Sequence, residues 1–166
     1  MSKNVKDSIS LVPQAPDASP DVLERIREAF VEHLRVDRGI GSEEARRRAA
    51  ETLGRELAAI RDLCQDDFLS IQMHGKKIGT LWKSFRIIEG RRTWHILYIE
   101  VDDANRQMGI AARAMRELIV LAKKDDVFEI TLNVSPRNIP ALALYKKLGF
   151  LERNGGLTLR VGSDES

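Results

Sequence analysis

The sequence predicts a mixed α/β domain with its elements in the order β-α-α-β-β-β-α-β-α-β-β. Three observations carry that reading. Residues 20 to 60 hold two segments with apolar side chains at helical spacing, separated by Gly39-Ile40-Gly41. Residues 68 to 101 hold three β-leaning runs joined by tight glycine-containing turns, which is the signature of an antiparallel meander. The stretch Ile96 to Ala122 then reads as strand, polar turn and helix in direct succession.

Taken in order, residues 1 to 8 are polar and are expected to be a loose terminus, leaving 9–166 as one domain. Ile9-Ser10-Leu11-Val12 is a short strand, closed by Pro13-Gln14-Ala15-Pro16. Ser19-Pro20-Asp21 opens the first helix, with Ser19 as N-cap, proline in the first turn and an early acid. Val22, Ile26, Ala29, Phe30 and Leu34 give it an apolar face. Ser42, followed by Glu43 and Glu44, is expected to cap the second helix, whose stripe is Ala45, Ala49, Leu53, Leu57 and Ile60. His74-Gly75-Lys76-Lys77 and Glu89-Gly90-Arg91-Arg92 are the turns of the meander, with strands over 68–73, 78–88 and 93–101. A helix from Gly109 carries Ala111, Met115, Leu118 and Ala122 on one face, and Phe128 to Val134 alternates as a strand. Asn138 caps the last helix, Pro140 is tolerated in its first turn, and Gly149 ends it. Two short strands, 150–153 and 157–161, flank Asn154-Gly155-Gly156.

The bulk numbers set bounds. With 43% hydrophobic and 31% charged residues, the chain has the composition of a globular domain large enough for a single core. A net charge of +2 is too small to argue for nucleic acid or a membrane surface. No apolar run is long enough to span a bilayer, the N-terminus lacks a signal-peptide core, and Cys64 has no partner for an internal disulfide. A cytoplasmic protein is the expectation. His33, His74 and Cys64 share no metal-ligand spacing, so no metal is expected. No nucleophile elbow and no Walker-type lysine accompanies the glycine turn, which excludes the usual serine hydrolase and ATP-binding patterns. Arg46-Arg47-Arg48 reads as a solvated helix face.

The Ile96–Ala122 unit has a chemical consequence. A helix that starts directly after a strand end leaves its first amides unpaired at one spot, beside the positive end of the helix dipole. Such a spot binds anions. The turn reads Arg106-Gln107-Met108-Gly109-Ile110-Ala111, and a second block runs from Asn138 through Ala141, Leu144 and Tyr145 to Leu148-Gly149-Phe150. The first resembles the pyrophosphate-binding motif (Gln/Arg-x-x-Gly-x-Gly/Ala) of the GNAT acetyltransferase superfamily, and the second resembles its Asn-x-x-Ala-x-x-Leu-Tyr-x-x-Leu-Gly-Phe signature. Together they cover residues 93 to 152.

The resemblance implies a twisted, mostly antiparallel mixed sheet with helices on both faces, and acetyl-CoA as acyl donor in a gap between the strand ending at Val101 and the strand beginning near Phe128. Gly109 and the amides around Ile110 and Ala111 would hold the diphosphate, with Arg106 adding a cation. Gln107 stands where the family often has glycine, and Met108 where it often has a base. The Val101 amide would face the thioester oxygen, Ile99 and Val101 would pair with the pantetheine as an added strand, and Asn138 would touch the cofactor as well as cap its helix. Tyr145 would protonate the departing thiolate.

An ammonium acceptor is almost wholly protonated at pH 7, so a base is needed. Strict alternation puts His95, Leu97, Ile99 and Val101 on one strand face, with His95 about 20 Å from Val101, and turns Glu100 to the other face; these two are the base candidates, His95 acting through a water. Asn133, Thr131 and Ser135 form a polar face that could border the gap, and Trp82 and Phe85 are wall residues of the acceptor pocket or core. The reaction implied is N-acetylation of a primary amine, small molecule or peptide, by direct attack in a ternary complex; the rival is a non-catalytic acyl-CoA sensor or interaction module. Homodimers are frequent in the family.

Overall fold

Three hairpins are closed by two-residue turns in which both central residues take left-handed backbone: His74-Gly75 (φ 56° and 73°), Glu89-Gly90 (51° and 77°) and Asn154-Gly155 (51° and 78°). That turn geometry matches the natural twist of paired strands. The computed structural model describes residues 8–15, 20–63 and 68–163, apart from the side chains of 59–63. The expected Ser19 cap, the loose residues 1–7, Pro16, Cys64 and the Ile60 side chain lie outside that range.

The elements follow the expected order: β1 (Ile9–Pro13), α1 (Pro20–Val36), α2 (Ser42–Leu63), β2 (Phe68–Met73), β3 (Lys76–Ile88), β4 (Arg91–Val101), α3 (Ile110–Lys124), β5 (Glu129–Leu132), α4 (Ile139–Lys147), β6 (Leu151–Arg153) and β7 (Gly156–Arg160), with a short 3-10 turn at Asp103–Asn105. They build a seven-stranded sheet of order β1-β2-β3-β4-β5-β7-β6. Every neighbouring pair is antiparallel except β4 and β5, which run parallel.

Each face of the sheet is covered. Leu81, Trp94, Ile96 and Ile130 pack with Ile110, Ala114, Met115, Leu118 and Ala122 of α3 and Tyr145 of α4. The other face meets α1 and α2 through Val22, Ile26, Leu53, Phe68 and Trp82. Trp82 is fully buried and meets the Phe68 ring edge-on at 5.8 Å. Helix α2 differs from expectation at its start: the Gly41 carbonyl accepts from the Ala45 amide at 2.8 Å, so Gly41 is the cap and Ser42 the first helical residue. Helix α4 ends as expected, with Gly149 at φ 98° and the Phe150 amide donating to the Tyr145 carbonyl at 3.0 Å. The arginines at 46–48 are exposed, and Arg47 and Arg48 pair with Glu44 at 2.6 Å.

Candidate functional site

Strand β4 carries the feature that builds the site. Its register with β3 runs Leu81–Ile99, Trp82–Tyr98, then Lys83–Ile96, so Leu97 is the extra residue of a β-bulge. Simple alternation therefore fails. Trp94, Ile96, Ile99 and Val101 face α3, whereas Thr93, His95, Tyr98 and Glu100 face α1 and α2. His95 does not share the face of Val101, contrary to the period-two expectation, but shares that of Glu100. The cause is the bulge, which exchanges the faces between Ile96 and Tyr98.

The bulge also marks where the sheet opens. Parallel pairing of β4 with β5 runs from Thr93–Glu129 to Ile96–Leu132 and stops there. On its other edge β4 stays paired with β3, and the Asp102 amide donates to the Ile78 carbonyl at 2.8 Å. Antiparallel hydrogen bonds alternate, so the backbone groups of Val101 and Ile99 turn away from β3 and into the opening. The Val101 carbonyl is met there by Arg106 Nε at 3.1 Å, and Arg106 also pairs with Asp103 at 2.9 Å. The cation implied by the turn thus braces the strand end.

The turn delivers the start of α3 to the same opening. Gly109 is its N-cap at φ 70°, no side chain among the described residues caps the first amides, and the first helical bond is Arg113 N–H to the Gly109 carbonyl (3.1 Å). A Cβ at Gly109 would meet nothing within 4 Å, so the conformation is what demands glycine. Gln107 also takes left-handed backbone, at φ 62°, which is why glycine suits that position. Met108 is exposed. Gln107→Gly is expected to leave thermal stability unchanged or raise it by up to about 1 kcal/mol, since relief of roughly 1–2 kcal/mol of strain outweighs the added freedom of the unfolded chain. Gly109→Ala is expected to lower it by about 1–2 kcal/mol.

A cavity of about 700 Å³ passes through the opening, lined by Ile26, Phe30 and His33 from α1, Asp37 just past its end, His95 to Ile99 from β4, Ala111 from α3, Asn133, Ser135 and Asn138 after β5, and Leu144 and Tyr145 from α4. Tyr145 is 5% exposed and meets the Phe150 ring edge-on at 5.6 Å; burial pushes its phenol up to about 12, so it holds its proton at neutral pH. Asn138 accepts from the Ala141 amide at 3.2 Å, the capping role expected of it. His95 Nδ1 lies 2.8 Å from Thr131 Oγ1 across the parallel pair, and burial, helped by Arg86, lowers its imidazole to about 4. Glu100 is bound through both oxygens by Arg25 Nε at 2.9 and 3.0 Å. Tyr98 beside it is pushed up to about 12 by burial and then by the Glu100 charge. Phe85 is exposed on the outer part of β3 and is not among the lining residues, nor is Trp82. Three participants escaped sequence reasoning: Arg25, which clamps Glu100, and His33 with Asp37. The last two are readable only as an i, i+4 pair at the end of α1. Among the described residues no group of three or more His, Cys, Asp or Glu side chains could hold a metal, and no helix is long and apolar enough to cross a membrane.

A sheet splayed beside a helix start that carries no side-chain cap is the frame of the site. The chain belongs to the acetyltransferase (GNAT) family, whose model matches residues 25–150. Similar solved structures include the protein YycN of Bacillus subtilis (TM-score 0.76, 19% identity, covering 89% of this chain and 94% of that one). Ard1 from Thermoplasma volcanium gives 0.58 at 17% identity, covering 94% and 99%. The PaiA N-acetyltransferase from Thermoplasma acidophilum, solved in complex with coenzyme A, gives 0.55 at 21%, covering 91% and 96%. At these identities the likeness is one of fold. No curated protein sequence matches this chain.

Proposed function

We propose that this protein is an N-acetyltransferase that passes the acetyl group of acetyl-CoA to a primary amine within a ternary complex, residues 9–166 acting as one domain. The observation that carries the reading is the convergence of the uncapped α3 amides and the outward backbone of Ile99 and Val101 on one opening in the sheet. The residues fit the donor. The amides from Gly109 to Ala111, with Gln107 and Met108 in the turn, supply a cradle for a diphosphate. Asn138 borders the same opening. Val101 N–H is the donor for the thioester oxygen, a preorganised dipole that needs no movement at the moment of reaction. Tyr145 keeps its proton and serves as the acid toward the departing sulfur. His95 and Glu100 are the base candidates on β4.

A second reading, an acyl-CoA sensor or interaction module, is favoured by one observation: Arg25 holds both Glu100 oxygens and burial suppresses protonation of His95, so neither β4 group is poised as a base. Calorimetry with CoA and acetyl-CoA, followed by thiol release with a panel of amines, separates the two. Binding with turnover supports the transferase, binding without turnover on any amine supports the sensor, and no binding removes both. Tyr145→Phe is expected to lower turnover by about 10²-fold with the CoA dissociation constant unchanged.

A further inference from the structure

The α1 wall of the cavity carries a second imidazole, and this one has a carboxylate. His33 Nδ1 lies 2.9 Å from Asp37 Oδ2, one helical turn on. Asp37 Oδ1 in turn accepts from Ser135 Oγ at 3.0 Å, a donor that arrives from the β5–α4 connection 98 residues away. The same connection is fastened to α1 by the Arg137 guanidinium, which donates to the Val36 carbonyl at 3.2 Å. The enclosure is unequal: the Asp37 side chain is 9% exposed and that of His33 36%. The carboxylate is therefore an inner, fixed member and the imidazole the accessible one. With Nδ1 engaged, Nε2 is the nitrogen left to meet a ligand, and both residues line the cavity that also holds Tyr145.

We infer that His33 is a catalytic residue of amine acylation, its Nε2 taking the proton of the acceptor ammonium, with Asp37 and Ser135 as positioning residues. The inference rests on the acetyltransferase reading above. A carboxylate beside Nδ1 fixes the tautomer with its proton on Nδ1 and stabilises the imidazolium that forms. The Asp37 carboxyl is held below its usual range, first by the His33 hydrogen bond and further by Ser135 and Arg137, which suits that task. The charged groups that line the same cavity are Glu32 on α1, Asp37 just past its end and Arg137 from the β5–α4 connection, with the neutral His95 on β4. The β4 groups lack this arrangement, since His95 Nδ1 meets the Thr131 hydroxyl where His33 meets a carboxylate, and Glu100 is committed to Arg25.

His33 Nε2 takes one ammonium proton and frees the nitrogen lone pair. That nitrogen bonds the acetyl carbon, and the carbon–sulfur bond breaks with its electron pair on sulfur. The sulfur is protonated at the expense of the second nitrogen proton, and the proton on His33 passes to solvent.

The test compares wild type, His33→Gln and Asp37→Asn by thiol release from acetyl-CoA with a panel of primary amines across pH 6 to about 9.5. His33→Gln is expected to lower kcat/KM about 10²-fold near neutral pH and to erase the acid limb of the profile. Activity should partly return at high pH, where the amine deprotonates unaided; melting temperature and CoA affinity should match wild type. Asp37→Asn is expected to move the acid limb to lower pH. In the ligand-free protein the ring-nitrogen NMR signals of His33 should show the Nδ1–H tautomer losing its dominance in that variant. A His33→Gln variant with wild-type turnover, or one that only melts earlier while its pH profile is unchanged, marks His33 as a cap of α1 and overturns the inference alone. A wild-type protein inert toward every amine overturns both this inference and the reading beneath it.

Discussion

Gly79→Ala is expected to destabilise the protein by about 2–4 kcal/mol, an overpacking cost at the upper end because the obstacle is backbone. Gly79 stands opposite Val101 in the β3–β4 register. An added Cβ would lie 2.4 Å from the Glu100 carbonyl oxygen and 3.2 Å from Val101 Cα. Neither can swing aside as a side chain does, so β4 must move bodily at the residue assigned to the thioester oxygen. Urea unfolding should show the loss, and calorimetry should show weakened CoA binding in the same variant. Gly54→Ala provides the contrast. It sits in α2 with nothing within 4 Å of the new methyl, and a gain of about 0.5–1 kcal/mol is expected from helix propensity. Equal stabilities for the two variants would contradict the close approach of the strands.

His95 should make the fold sensitive to acid. Its imidazole is lowered from an ordinary 6.5 to about 4, chiefly by burial. Below pH 6.5 the unfolded chain takes up a proton that the folded one refuses, so stability falls with pH, and the loss is complete near 4. Its full size is about 2–3 kcal/mol, allowing for the partial exposure of the ring. His95→Gln keeps a polar group against Thr131 and removes the titration. Denaturant unfolding between pH 7 and 4 is expected to show the wild-type curve dropping below that of the variant by this amount; parallel curves would refute the burial argument.

Those two residues also show what the sequence could and could not reveal. Turns were legible because left-handed backbone has few tenants: Gly75, Gly90 and Gly155 announce their hairpins, and Gly109 and Gly149 announce a helix start and stop. The strand-turn-helix unit was legible for the same local reason. The bulge at Leu97 was not, because it is a relation between β4 and β3 and leaves no mark in β4 alone. Every assignment of a side chain to a face beyond it, His95 relative to Val101 above all, inherited the error. The Arg25 clamp on Glu100 joins positions 75 residues apart, and the Ser135 contact to Asp37 joins positions 98 apart. Spacing cannot report such meetings. The i, i+4 step from His33 to Asp37 could be seen, but nothing local distinguishes it from an ordinary helix-end pair.

The seam between β4 and β5 is four residue pairs long, and everything beyond it is slot. The two portions of the sheet, β1 to β4 and β5 with β7 and β6, are plates that meet along this short seam, a geometric hinge. The width of the slot then depends on a small angle between the plates, multiplied by distance from the hinge. The bonds from Ser135 to Asp37 and from Arg137 to Val36 tie the β5–α4 connection to the end of α1. Two hydrogen bonds therefore link the cover of one plate to that of the other and resist any change in that angle, although each adds only about 1 kcal/mol to the total cohesion.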